Sequence, residues 1–268
     1  VEGKNYAGTA WIVFGRITAW WPATFDLGLM TFKDGVTIQG AQASDYLGIS
    51  VAGAVDVNHD GIDDVIVGAS GANPMGKGAA GIAYVIFGRT VWPGKIDTQT
   101  AIQGPDGFQI FGEKNGDSIG TVVAGLKDVN GDRIDDFIIG SHYFDQNISM
   151  VDIGQSYVLF GRENGEWPAI VDLSSLGGNN GLFSIGSSVP NSHSACSVSN
   201  AGDVNHDGND DVLVGAYDSG SGGRGFLILG SFYRLYRISL FSPPPISPKF
   251  SFQLSIALQN CRTEFEVQ

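Results

Sequence analysis

The chain has 268 residues, of which 39 are glycine, 16% are charged and 43% are hydrophobic. Glycine at about twice ordinary usage, without a three-residue period, excludes collagen and calls for many tight turns, while the apolar share excludes wholesale disorder. A net charge of −13 makes nucleic acid a poor partner, since that binding depends on Lys and Arg, and it favours cations wherever the acids cluster.

Taken in chain order, the first residues VEGKNYAG do not form a signal peptide, so a leader, for a secreted protein, lies upstream. An apolar run, AGTAWIVFGR, ends at Arg16; a Trp-Pro step, Trp21-Pro22, and the run VTIQG follow. A longer unit then opens at Leu47 with LGISVAGAVDVNHDGIDDVIVGAS. It continues through AAGIAYVIFGR to Arg89, Trp92-Pro93 and GFQIFG. The same order returns from Ile119 with IGTVVAGLKDVNGDRIDDFIIGS, GQSYVLFGR to Arg162, Trp167-Pro168 and LFSIG. A third copy starts at Ser194 with SACSVSNAGDVNHDGNDDVLVGAY and runs through GGRGFLILG to Gly230.

The leading aspartates Asp56, Asp128 and Asp203 are 72 and 75 residues apart, so the chain is built from repeats. Each unit holds four short apolar runs separated by Gly, Asn and Asp, which are strand and turn signals, and no stretch keeps a helical period. Four strands per unit is the pattern of propeller blades. The expected fold is therefore all-β: a β-propeller of four-stranded blades, about three and a half of them present. The chain opens on the third strand of one blade and supplies its fourth, then gives three further units. Residues 1–230 form this repeat domain. Residues 231–268 contain no Gly and no Asp, include Pro243-Pro244-Pro245, and read as a non-repeat tail: a strand substitute, a linker, or the product of an altered frame.

The chemistry lies between the first two strands of each blade. In DVNHDGIDD, oxygen-bearing residues fall at positions 1, 3, 5 and 9: Asp56, Asn58, Asp60 and Asp64, with Ile62 at position 7 offering its backbone carbonyl. The second loop repeats this with Asp128, Asn130, Asp132, Ile134 and Asp136, and the third with Asp203, Asn205, Asp207, Asn209 and Asp211. Acceptors at alternate positions curl around one point, which suits Ca²⁺ with its six to eight oxygens at about 2.3–2.6 Å. The beginning is like an EF-hand loop, but position 12 is Val67, Ile139 or Val214 within a strand, so the EF-hand reading fails. Asp, Asn and Gly are also ordinary turn residues. Repeated carboxylates within nine residues, three times over, would repel one another without a counter-ion. The position-8 acids Asp63, Asp135 and Asp210 are expected to face away. Arg133 replaces Gly61 and Gly208 at position 6, where the turn needs positive φ, so the second loop is expected to bind most weakly.

The elements SVAG, DVNHDGIDDVIVGA and YVIFG resemble the FG-GAP repeat of integrin α-subunit propellers and of glycosylphosphatidylinositol-specific phospholipase D. The resemblance implies a seven-bladed propeller, here a partial or open ring, with up to three calcium ions in hairpin loops on one face. It implies a non-catalytic module for extracellular, secreted or cell-surface adhesion, with a protein or glycan ligand. The alternatives are an accessory propeller of a larger secreted hydrolase, or a structural unit that self-associates or pairs with other blades. No run of 18 apolar residues occurs to span a membrane.

Several motifs read as decoys. GDSIG, Gly116 to Gly120, matches a nucleophile elbow, but Ser118 aligns with Tyr46 and His193 at a strand entrance. His59 and His206 at position 4 are expected to face solvent; His142 and His193 have no recurring partners and take surface or core roles. Cys196 aligns with Ile49 and Thr121 on a first strand, where a buried small side chain is expected; with Cys261 it reads as two unrelated thiols, or as one bridge. The Trp-Pro steps read as turn and packing elements, or as sugar-stacking platforms. Asn147-Ile148-Ser149 is a glycosylation sequon.

Overall fold

A computed structural model describes residues 5–16, 22–100, 102, 104–175, 182–218 and 222–230. Trp21, Cys261 and the tail 231–268 lie outside these residues. The described residues contain fifteen strands and only short 3₁₀ turns. In order these are β1 (Thr9–Val13) and β2 (Gly35–Gln39); β3 (Leu47–Val55), β4 (Asp64–Ala69), β5 (Ile82–Ile86), β6 (Lys95–Asp97) and β7 (Gly107–Phe111). Then come β8 (Val122–Gly125), β9 (Phe137–Ser141), β10 (Gln155–Leu159), β11 (Ile170–Asp172) and β12 (Leu182–Gly186), and finally β13 (Ser194–Gly202), β14 (Asp211–Ala216) and β15 (Arg224–Ile228).

Strands β3, β4, β5 and β7 pair antiparallel as one blade, and β8, β9, β10 and β12 as the next. The antiparallel pair β1–β2 is the end of a preceding blade, and β13–β14–β15 is the start of a following one. Blades are therefore laid out in chain order, in the register the repeats predict. Four-stranded antiparallel sheets following one another along the chain are the blades of a β-propeller.

The four-strand reading omitted one element. Two of the blades receive a short further strand, parallel to their outer edge, from the unit that follows. β6 pairs Lys95, Ile96 and Asp97 with Thr37, Ile38 and Gln39 of β2. β11 does the same to Gln109, Ile110 and Phe111 of β7. Both strands follow a Trp-Pro step, so this motif marks where the chain turns back onto its neighbour. Only the central residue of each three-residue strand is apolar and buried (Ile96, Val171), too short a run to read as a strand from sequence.

Core residues alternate between the two faces of the two middle blades, and both of those faces are covered at β5 and β9. Along β5, Ala83 and Val85 enter one apolar cluster while Ile82, Tyr84 and Ile86 enter another. Along β9, Phe137 and Ile139 pack toward the preceding blade and Ile138 toward the following one. Two-sided burial is why these strands read as continuous apolar runs rather than as alternating ones. Phe108, fully buried, sits near the middle of the shared cluster, with Phe87 at 5.9 Å and Phe137 at 6.3 Å between ring centroids.

Trp167 closes this cluster. Its ring stacks on Phe108 at 4.4 Å and 10°, and the Arg162 guanidinium lies 4.2 Å over it. Trp92 is half-buried against the preceding cluster, with Arg89 5.1 Å over its ring. Both rings are packing elements, as the repeat pattern suggests. Trp167→Ala is expected to destabilise the chain by about 3 kcal/mol, the low end for a large aromatic, because the ring is only partly buried. Chemical denaturation checks this; a change below about 1 kcal/mol would contradict the packing role.

Adjacent blades are also joined by a repeated backbone clasp. The N–H groups of Ser44, Tyr46 and Leu47 donate to the carbonyls of Asn5, Tyr6 and Ala7 at 2.9, 3.0 and 2.9 Å. Gly116, Ser118 and Ile119 donate to Gly78, Ala79 and Ala80, and Asn191, His193 and Ser194 donate to Val151, Asp152 and Ile153, all between 2.9 and 3.0 Å. The donors Tyr46, Ser118 and His193 all have positive φ, at 54, 56 and 47°. Ser118 is thus a clasp residue at a strand entrance, with its hydroxyl on the Gly116 and Ala79 carbonyls, and not a nucleophile elbow.

Candidate cation loops

Each acidic loop lies between the first two strands of a blade. It sits at the end of the second strand opposite the clasp. The three loops share one hydrogen-bond pattern. In the first, Asp60 N donates to Asp56 Oδ1 at 3.0 Å and to Asn58 Oδ1 at 3.1 Å, Gly61 N to Asp56 Oδ2 at 2.8 Å, and Ile62 N to Asp60 Oδ1 at 2.8 Å. The second repeats it with Asp132 N on Asp128 and Asn130, Arg133 N on Asp128, and Ile134 N on Asp132. The third repeats it with Asp207 N on Asp203 and Asn205, Gly208 N on Asp203, and Asn209 N on Asp207. The side-chain oxygens of positions 1 and 3 thus meet at one amide, with position 5 beside them.

The position-9 carboxylates do a second job. Asp64 is fully buried and accepts from Val57 N at 3.0 Å and from Gly88 N at 2.7 Å, tying the loop to the end of the third strand. Asp136 accepts from Val129 N and Gly161 N at 2.9 Å each. Asp211 accepts from Val204 N at 2.9 Å and Gly230 N at 2.8 Å. Among the described residues, no three His, Cys, Asp or Glu side chains are grouped closely enough to form a ready-made metal site. The side chains of positions 1, 3 and 5 are linked through shared amides, while the position-9 carboxylate is held by amides of its own.

The electrostatics of that arrangement favour a cation. Burial first, then the charges of Asp60 and Asp56, push Asp64 up to about 7 against its amide hydrogen bonds. Burial and the charges of Asp132 and Asp128 push Asp136 up to about 8. Burial similarly raises Asp117, in the turn before β8, to about 6. Carboxylates crowded together and short of solvent are the donor chemistry a hard cation satisfies.

A pH dependence follows. An unfolded aspartate titrates near 3.9, so these three groups hold a proton more readily in the folded chain. The stability they contribute is full below about pH 4 and is lost as pH rises through their folded values, toward pH 8. In chelator, the unfolding midpoint is expected to fall across this window. A flat or rising profile would contradict the assignment.

Backbone conformation revises the contrast between loops. Position 6 has positive φ in all three, at 85° for Gly61, 70° for Arg133 and 95° for Gly208. Position 4 does as well, at 57° for His59, 82° for Gly131 and 58° for His206. Each loop therefore carries one glycine and one non-glycine residue in the left-handed region. Strain does not single out the second loop; only the charge of Arg133 does. His59 and His206 are exposed, as expected.

Two of the position-8 acids, expected to face away from their own loops, have partners outside them, while Asp63 is exposed. Asp135 accepts from Asp56 N of the preceding blade's loop at 3.2 Å and pairs with Lys127 at 2.5 Å. Asp210 accepts from Asn200 Nδ2 at 2.7 Å, and its N–H donates to the Asp128 carbonyl of the preceding loop at 2.9 Å. These residues couple one loop to the next. On the opposite face, His142 and His193 turn out to be partners: His193 Nδ1 lies 3.3 Å from the His142 carbonyl, and its ring stacks on Tyr217 at 4.7 Å. The histidines come from different blades, and no spacing in the sequence signals the meeting. Cys196 is half-buried on β13 rather than fully buried.

The family model for the FG-GAP repeat matches residues 47–86, from β3 through the first loop to the end of β5. Integrin alpha pat-2 of Caenorhabditis elegans is 30% identical over 205 residues, covering 72% of this chain and 15% of that protein. Integrin alpha-2 of Bos taurus is 31% identical over 180 residues, covering 67% of this chain and 14% of that protein. Phosphatidylinositol-glycan-specific phospholipase D of Bos taurus is 28% identical over 191 residues, covering 67% of this chain and 20% of that protein. The chain thus spans no more than a fifth of the length of these relatives. Among the described residues no helix is long and apolar enough to cross a membrane.

Proposed function

We propose, from the premise that this chain belongs to the FG-GAP repeat family of the integrin α kind, that it is a calcium-binding propeller module for extracellular adhesion or ligand binding, with no catalytic role of its own. The observation that carries this reading is the triplicate loop. Three times, position-1 and position-3 oxygens meet at one amide in a loop that also holds a buried carboxylate. Extracellular calcium is millimolar, and modules of this type manage with dissociation constants of about 10⁻⁴–10⁻³ M. The ligands are Asp56, Asn58, Asp60, Ile62 and Asp64; Asp128, Asn130, Asp132, Ile134 and Asp136; and Asp203, Asn205, Asp207, Asn209 and Asp211. Asn209 is among them through its carbonyl; its side-chain amide donates to Asp207 Oδ1 at 2.9 Å.

Calorimetric titration of calcium into the chelated chain tests this. Up to three sites are expected, one of them weaker, with magnesium failing to reproduce the heats because it demands a tighter octahedral shell. The weak site is the second loop. Arg133→Gly is expected to bring its affinity up to that of its siblings by removing a like charge; three equal sites in the unaltered chain would contradict this. Heats absent at millimolar calcium would end the cation reading.

A second reading is favoured by the phospholipase D similarity: the same module accompanying a hydrolase domain within a longer chain. The partner is then the attached domain rather than a protein or glycan on another surface. The repeat domain of residues 1–230 serves equally in either setting, and residues 231–268 fall outside it.

A further inference from the structure

We infer that Asn147 is a site of N-linked glycosylation, at the tip of the loop between the second and third strands of its blade. Asn147-Ile148-Ser149 is the single Asn-x-Ser/Thr sequence in the 268 residues. Sequence alone makes it a candidate; many such triplets are buried or locked in strands and are never modified.

Here the geometry is open. Asn147, Ile148 and Ser149 are all exposed, and Ile148 is 98% exposed, so an enzyme can reach the segment from outside. The three residues form the turn of a small hairpin closed by Gln146 N on the Met150 carbonyl and Met150 N on the Asn147 carbonyl, both at 3.0 Å. Within it, Asn147 Oδ1 accepts from Ser149 N at 2.9 Å, so the asparagine and the hydroxyl residue are already folded toward each other. An exposed apolar side chain at the middle position has no packing role to explain it. The hairpin hangs from the core by Asp152 N on Asp145 Oδ1 at 2.7 Å and by Lys114 Nζ on the Asp145 carbonyl at 2.9 Å. Its tip can therefore carry a bulky substituent without disturbing the blade.

The modification needs an oligosaccharide carried on a polyprenyl diphosphate and the transferase that uses it. Asn147 Nδ2 bonds to C1 of the first sugar as the C1–O bond to the diphosphate breaks. The amide nitrogen gives up one proton, and polyprenyl diphosphate leaves with the bonding pair. The inference rests on the extracellular reading, since only a chain passing through the secretory route meets that donor.

The site also orients the module. The 142–154 loop lies at the opposite end of β9 from the second acidic loop, so the glycan stands on the clasp face. A hydrated, branched group there keeps macromolecules away from the loop carrying His142 and Tyr143, and leaves the cation loops uncovered.

The test is to pass the full chain, behind a supplied leader, through the secretory route of a eukaryotic cell and to read mass before and after peptide N-glycosidase. One glycan is expected, mapping to Asn147, absent in Asn147→Gln and Ser149→Ala, and retained in Ser149→Thr. Ile148→Pro is expected to abolish it as well. A secreted, folded chain without a glycan, or one whose glycan survives Asn147→Gln, overturns the inference. Because the leader is supplied, either result is separate from the calorimetric test of the cation loops.

Discussion

Millimolar calcium added to the chelated chain raises its thermal unfolding midpoint, and Asp60→Ala or Asp207→Ala takes away part of that rise. The size follows from linkage. A ligand that binds only the folded state stabilises it by RT ln(1 + [L]/Kd) per site, about 2.7 kcal/mol at a hundredfold excess over Kd. At extracellular concentrations and weak dissociation constants the gain per loop is about 1 kcal/mol. Position 5 is the place to cut. Asp60 and Asp207 are exposed, and each accepts the N–H two residues on, Ile62 at 2.8 Å and Asn209 at 2.9 Å. In chelator, therefore, each alanine variant is expected to lose little stability; in calcium it loses the contribution of its own site. Asp64→Ala would not discriminate, since that carboxylate is fully buried and also bonds Val57 and Gly88. A midpoint that calcium leaves unmoved, or that moves equally in wild type and both variants, sinks the assignment of these loops as calcium sites.

The second large effect is structural. Gly81→Ala is expected to destabilise the chain by about 2–4 kcal/mol, combining overpacking with a left-handed backbone that a Cβ disfavours. Gly81 has φ +82°, and a Cβ built on it would lie 2.3 Å from the Ile119 carbonyl oxygen and 2.5 Å from the Ile119 nitrogen. Both neighbours are backbone, pinned by the clasp that joins two blades, so neither can yield as a flexible side chain could. The equivalent glycines, Gly8 and Gly154, meet Leu47 and Ser194 in the same way at 2.1 and 1.9 Å. Gly78→Ala, three residues earlier with open space around its Cβ, serves as the control and is expected to change stability by less than about 0.5 kcal/mol. Equilibrium denaturation of both variants, with unchanged slope, reads the difference. Equal values for the two would mean that the blades can separate at this junction without loss.

Much of the fold can be read from the sequence because its signals recur. Runs such as DVIVGA and YVIFG point to strands buried on both faces, and the spacing of Asp56, Asp128 and Asp203 places them in successive blades. The loop residues are equally legible, since alternate oxygen-bearing positions repeat without a break. What escapes is everything that depends on two units meeting. β6 and β11 bury a single apolar residue each, Ile96 and Val171, and their pairing partner lies in another repeat. Asp135 looks like a solvent-facing acid until the preceding loop supplies the Asp56 N–H. Arg133 looks like the one strained residue until position 4 proves left-handed too, which places the same penalty on His59 and His206 in the sibling loops. Turn chemistry reports a residue's own backbone, and a neighbour's contribution appears only once the blades are side by side.

The short backward-reaching strands bear on how such chains can change in length over evolution. The repeat that opens at Leu47 lends Lys95–Asp97 to the blade behind it and receives Ile170–Asp172 from the repeat ahead, so loan and debt are carried by the same stretch of gene. Duplicating or deleting a full repeat of this kind keeps those two outer edges covered, because the departing donor and the departing acceptor leave together. A cut placed between a fourth strand and the next Trp-Pro step does otherwise: it strips the cover from a blade whose own residues are all intact. Blade number is thus free to drift by whole units, whereas fragments bounded by eye at the sheet edges are the ones that would stick to one another.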